Sequence, residues 1–100
     1  RIDLQQRKNE SMINEMHLIG RVKDVHKLDY ATFITVTTEV SRRPEHHQVT
    51  VFNEVPCPEL EPGDLVEVIG PLVYVAHNKT GVINARIQAL DINLVKLPNL

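Results

Sequence analysis

From Ala31 to Val40 the chain reads ATFITVTTEV, and its side chains divide without a break into two alternating sets. Ile34, Val36 and Val40 fall on one side, and Phe33, Thr35, Thr37 and Glu39 on the other. A period of two belongs to a strand, because successive Cβ atoms point to opposite faces of a pleated chain. The β-branched residues that fill the stretch favour the same conformation. Such a strand has to be covered on its apolar side, which leaves the other side free for solvent or a ligand.

The same texture extends from Met16 onward through five segments. The first, Met16 to Lys27, carries Gly20 inside a strand pattern, a sign of a bulge or a sharp bend. The second is Ala31 to Val40. The third, His46 to Phe52, sends Val49 and Val51 one way and His46, Gln48, Thr50 and Phe52 the other. The fourth, Leu65 to Ala76, is broken at Gly70-Pro71, and the fifth, Val82 to Val95, sets Ile83, Ala85, Ile87 and Ala89 against Asn84, Arg86 and Gln88.

The connections are as informative as the strands. Pro44 cannot donate to a ladder, so SRRPEHH (41–47) holds the turn between the second and third segments, with Pro44-Glu45 at its tip. Between the third and fourth, Pro56, Pro58 and Pro62 leave room for about one helical turn, since an interior proline costs a helix roughly 3 kcal/mol. Pro62-Gly63-Asp64 and His77-Asn78-Lys79-Thr80-Gly81 are turn signals on either side of the fourth segment. An all-β fold is expected, specifically the five-stranded Greek-key barrel called the OB-fold, over residues 16–97. An up-and-down sandwich is the competing arrangement. Residues 1–15, RIDLQQRKNESMINE, are expected to form a polar N-terminal arm, flexible or partner-dependent.

A hydrophobic fraction of 42% and a charged fraction of 24% are ordinary for a globular chain, and 100 residues suffice for one domain. The formal net charge of −2 offers a polyanion no general attraction, so contact with nucleic acid requires cations gathered on one face. Cys57 is the single cysteine, which excludes an internal disulfide and a multi-cysteine metal site and points to a reducing compartment. No apolar run approaches the roughly 20 residues of a membrane-spanning helix, so no membrane partner is expected. The chain begins at Arg1 rather than Met, with no leader in view, and removal by processing and trimming are both open.

Five histidines raise the question of a metal. His46 and His47 are strand neighbours that point to opposite faces, and no CxxC or HxxxH pattern accompanies them, so no metal site is expected. Nor is a catalytic site: Cys57 sits between two prolines without a positioned base, and neither GxSxG nor a phosphate-binding loop motif occurs. The chain is read as a non-enzyme without cofactors.

HLIGRV (17–22), FITVTTE (33–39), HHQVTVFNE (46–54), PGDLVEVIGPL (62–72) and LDINLVK (90–96) together resemble the successive strands of the bacterial-type single-stranded DNA-binding proteins. VFNE and DINL especially resemble mitochondrial members. The likeness runs in order from about residue 14 to residue 96, and that order is more specific than any one motif. It implies an OB-fold that binds single-stranded DNA as a homotetramer, without sequence preference, and protects exposed strands during mitochondrial DNA replication.

In such a protein, stacking on aromatic faces contributes about 1 to 3 kcal/mol per base, while Lys and Arg follow the phosphates. By resemblance, Phe52 matches the stacking aromatic that ends the third strand. His46 stands where the family has a tryptophan, Arg42 stands near the place of another, and this chain has no tryptophan. Strand alternation adds Phe33 to the face that holds His46 and Phe52. Arg21, Lys23, Arg42, Arg43, Lys79 and Arg86 are candidate phosphate contacts, diluted by Glu39, Glu45 and Glu54. Set against these roles, Phe52 would be a core residue capping the barrel, and each cation ordinary solvated charge. The rival function is that of a divergent OB-fold subunit with an architectural role in a larger mitochondrial assembly. Binding of single-stranded RNA on the same face is a further alternative.

Overall fold

The structure, a computed structural model, describes residues 12–96. Its strands are β1 (Met16–Lys27), β2 (Ala31–Thr38), β3 (Glu45–Phe52), β4 (Leu65–Gly70), β5 (Leu72–Ala76), β6 (Ile83–Gln88) and β7 (Asp91–Leu94). They form one curled sheet in the order β5-β6-β3-β2-β1-β4-β7. Every pairing is antiparallel except that of β3 with β6.

The sheet has seven strands where the sequence pattern suggests five. Pro71 has no N–H to give a ladder, and it divides the fourth segment into β4 and β5. Across from that break the fifth segment divides into β6 and β7, with Gln88 N–H donating to the Pro71 carbonyl (2.9 Å) and Leu90 N–H to that of Ile69 (2.8 Å). The backbones approach so closely here that a Cβ on Gly70 would run into the Gln88 carbonyl.

β1 is bent, as Gly20 suggests. Met16 to Arg21 pair with β4, whereas Arg21 to Lys27 pair with β2. A Cβ on Gly20 would stand 2.5 Å from the Thr37 carbonyl oxygen, so a side chain cannot occupy this corner without a shift of backbone. A bulge between Val22 and Asp24 adds to the bend and leaves Lys23 as the extra residue.

The concave side is filled by β-branched side chains from every strand but β5: Val22, Ile34, Val36, Val49, Val51, Val66, Val68, Ile87 and Ile92 are all buried. Each such side chain contributes about 1.5–3 kcal/mol when fully removed from water. The proline-rich connection forms no helix, but it lays Leu60 into the core and packs Val55 and Cys57 against it. Val40 does not join the buried face. The β2–β3 ladder closes at Thr38 opposite Glu45, and Val40 lies in the loop beyond it, 88% exposed.

The outer half of the β5–β6 hairpin likewise extends past the core, with Tyr74, Val75, Val82 and Ile83 exposed. Of the expected N-terminal arm, residues 1–11 lie outside the described residues. Asn14 is pinned to the start of β5, its side-chain amide donating to the Leu72 carbonyl (2.7 Å) and accepting from the Leu72 N–H (2.9 Å).

Candidate nucleic-acid interface

Register decides which side chains share the convex side of β1, β2 and β3. Thr37 lies opposite His46, Thr35 opposite Gln48, and Phe33 opposite Thr50, so these three pairs form rows across β2 and β3. β1 extends the rows with Arg21 beside Thr37, Asp24 beside Thr35 and His26 beside Phe33. On the far side, β6 runs parallel to β3 with Gln88 at the level of Thr50, and Arg86 precedes it by two residues on the same face.

These neighbours converge at Phe33. The Arg86 guanidinium carbon lies 4.9 Å from the centroid of the Phe33 ring. Arg86 Nε donates to Thr50 Oγ1 at 2.9 Å, which holds the guanidinium in place, and Thr50 is only 6% exposed. Tyr30, from the β1–β2 turn, meets Phe33 edge to face with centroids 6.2 Å apart. The turn is held by Asn53, whose side-chain amide donates to the Asp29 carbonyl and whose N–H donates to that of Tyr30. The result is a cation packed on an aromatic ring beside a second ring. Such an arrangement is attractive in itself and offers flat surfaces to a planar ligand.

The other candidate residues fall at graded distances from this centre. Phe52 ends β3 opposite Ala31 and is half-buried. His46 is exposed and shares a 2.9 Å hydrogen bond with the Thr37 hydroxyl. His47, on the opposite face, makes its own 2.8 Å bond to Thr38. Arg42 and Arg43 are exposed in the β2–β3 loop, and Arg42 sits in the left-handed region at φ 70°.

Lys79 occupies the β5–β6 tip and lines a groove with His77, Asn84 and Arg86, so Arg86 joins the groove to the Phe33 cluster. Arg21 does not reach the cluster. Its side chain donates to the Gly63 carbonyl (3.1 Å) and lines a separate groove with Leu94, Val95 and Lys96. Among the described residues the close contacts of basic side chains with carboxylates are the His17–Glu67 hydrogen bond and the Lys27–Glu59 ion pair, so no carboxylate contact neutralises Arg42, Arg43, Lys79 or Arg86. Cys57 offers little as a nucleophile: burial pushes its thiol above the ordinary range, with the nearby Lys27 pulling the other way.

Neither a protein-family model nor a curated protein sequence matches the chain. Solved structures do. The mitochondrial single-stranded DNA-binding protein Rim1 of S. cerevisiae superposes with a TM-score of 0.61 at 21% identity, covering 86% of this chain and 97% of that one. The Plasmodium falciparum SSB, solved in complex with ssDNA, gives 0.64 at 19% identity, with 85% and 96% covered. The dimeric N-terminal domain of PriB from Thermoanaerobacter tencongensis gives 0.59 at 25% identity, with 84% and 98% covered.

The fold is that of the single-stranded DNA-binding proteins. Within it, sequence reasoning found Phe33 and Arg86 separately but missed that they touch, and it left out Tyr30, Thr50, His77 and Asn84. Thr50 carried a usable signal, since alternation puts it on the face of His46 and Phe52. The contact between Arg86 and Phe33 carried none, because it arises from the parallel β3–β6 pairing, which joins strands far apart in the chain.

Proposed function

We propose that the chain binds single-stranded DNA without sequence preference, across the convex face of β1–β3 and along the inner side of the β5–β6 hairpin. The observation that carries this reading is the Arg86 guanidinium held over Phe33 beside Tyr30, a stacking surface assembled without tryptophan. Phe52 and His46 extend the surface along β3. Arg42, Arg43 and Lys79 supply phosphate contacts from the two flanking loops, while Arg21 and Lys23 lie at the margin. Counting β4 with β5 and β6 with β7 as single bent strands, the sheet is read as an OB barrel over residues 16–97, with an arm over 1–15.

The work of such a protein is to cover exposed strands during replication, in mitochondria if the likeness to Rim1 extends to its compartment. The chain is a binding protein and not an enzyme. A homotetramer is supported by a second convex face, formed by β1, β4 and β7. There Ile19 is 50% exposed and Leu65 and Ile69 are half-buried, around the 2.7 Å His17–Glu67 pair.

Fluorescence-polarisation titration of oligo-dT, the matching RNA and a duplex at two salt concentrations tests the proposal. Tight binding of oligo-dT that weakens with salt is expected, and undetectable binding at low salt overturns it. A second reading, as an architectural subunit of a larger assembly, is favoured by the exposed Tyr74, Val75, Val82 and Ile83 of the β5–β6 hairpin. It predicts a co-purifying protein partner and no affinity for oligo-dT. Preference for the RNA over the DNA would favour the RNA-binding alternative.

A further inference from the structure

Thr50 is the one buried polar residue of the described chain. It lies in the middle of β3, opposite Phe33 of β2 on one side and level with Gln88 of β6 on the other. Its backbone carbonyl accepts from Ala89 N–H (2.9 Å), so the ladder fixes the residue from both flanks. A valine of the same shape would pack equally well here and would avoid burying a hydroxyl. What distinguishes threonine is the hydroxyl oxygen that accepts from Arg86 Nε.

An arginine side chain is long and has many rotamers, and a guanidinium left to itself would spend little time flat against a ring. Two constraints act on Arg86 together. Phe33 lies against one side of the guanidinium, and the Thr50 hydroxyl anchors Nε, which sets the rotation of the plane about the side-chain axis. Among the described residues no ion pair engages the guanidinium, and Arg86 also lines the groove beside His77 and Asn84, where a ligand can reach it. A planar cation presented in this way can stack on a nucleobase and donate to an adjoining phosphate at once, which an ammonium group cannot do.

The geometry points to Thr50 as a positioning residue that orients Arg86 as a stacking platform for one nucleobase of a bound single strand. This rests on the reading of the convex face as a single-stranded DNA site. The occupant is a base with its phosphate, and Thr50 itself touches neither.

Oligo-dT affinity is measured for wild type, Thr50→Val, Thr50→Ser and Arg86→Ala, and for Thr50→Val in the Arg86→Ala background, with thermal melting of each. Thr50→Val should raise Kd roughly tenfold, the effect of losing one hydrogen bond to a charged group. Its salt dependence should match wild type, because the charge remains. Thr50→Ser should restore the affinity. In the Arg86→Ala background, Thr50→Val should cost almost nothing.

A purely structural role would lower the melting temperature and weaken binding equally in both backgrounds, and that result overturns the proposal, as does failure of a folded Thr50→Ser to restore binding. A binding-independent measurement separates this inference from the functional reading. In NMR of the free protein, the Arg86 side-chain methylenes should be shifted upfield by the Phe33 ring in wild type and Thr50→Ser and should revert in Thr50→Val. Unchanged shifts in Thr50→Val overturn the role of Thr50. Absence of oligo-dT binding by wild type with these shifts intact overturns the functional reading and the platform's use for a nucleobase, while leaving the Thr50–Arg86 coupling in place.

Discussion

The two halves of β1 lie in two convex faces of opposite character. From Arg21 onward the strand pairs with β2, which leads on to β3 and β6, and the outward residues there are Phe33, Arg86, His46, Gln48 and a row of threonines. Before Gly20 it pairs with β4, which leads on to β7, and the outward residues there include Ile19, Leu65 and Ile69 around one His–Glu pair. The concave side beneath both is one continuous aliphatic packing, mostly valine and isoleucine. A core asks only for apolar volume in the right shape, so it is uniform. An outer face reflects what it meets, and here one carries rings, cations and hydroxyls and the other exposed aliphatic groups, the division on which the proposed DNA site and subunit contact rest.

Gly20 is the point where the two faces turn into each other, and its replacement should have the largest effect. A Cβ there meets the Thr37 carbonyl and the Val36 and Thr38 side chains, all within 3.0 Å. Gly20→Ala is expected to cost about 3 kcal/mol, the scale of overpacking a closed site. The corresponding fall in Tm is roughly 10 to 20 °C. Oligomer and DNA binding should be lost along the same melting curve. Loss of one at a temperature where the other survives would mean that the faces do not share this hinge.

The next two experiments separate the faces. Ile19→Asp with Ile69→Asp places charge on the β1–β4–β7 face and should convert the proposed tetramer to a smaller species by light scattering. Affinity for an oligonucleotide short enough to occupy one site should stay within about twofold, as expected for sites with no shared partners. Phe33→Leu is the mirror experiment. It keeps an apolar side chain but removes the ring beneath Arg86 and beside Tyr30. Kd should rise roughly tenfold, the worth of one stacked base, with the oligomer unchanged. If either variant moves both properties, the two faces are coupled and the division fails.

How much of this was legible in the sequence follows the range of the interactions. Alternation in ATFITVTT gave the buried and exposed sides of β2, because period is a local property. It also put Phe33, Thr35 and Thr37 on the same side as the outward residues of β3, though the row-by-row pairing came only with the structure. Gly20 signalled the bend in β1. The seven-strand count was half legible: Gly70-Pro71 marked the break between β4 and β5, but Leu90 looks like any apolar strand residue, and only the crossing at Gly70 shows why pairing changes there. The stack of Arg86 on Phe33 was hidden for the same reason: it depends on a contact spanning more than fifty residues of chain. The contact of Arg21 with the Gly63 carbonyl was hidden too, because nothing local says which way that side chain turns.

The smallest expected effect lies at the edge of the proposed DNA face, in the β2–β3 loop. Arg42 sits at φ 70°, a region that costs an L-residue roughly 1–2 kcal/mol and glycine almost nothing. Arg42→Gly therefore removes a cation and relieves backbone strain together. If Arg42 touches phosphate, the slope of log Kd against log salt should fall by about 0.7, the value for one contact to a single strand. Glu39 and Glu45 flank the loop and already weaken its field, so the loss of affinity at moderate salt should be only about twofold. Tm should rise by a few degrees over the same substitution. A higher Tm with an unchanged slope would assign Arg42 to solvent and confine the DNA face to Phe33, Arg86 and the strands that carry them.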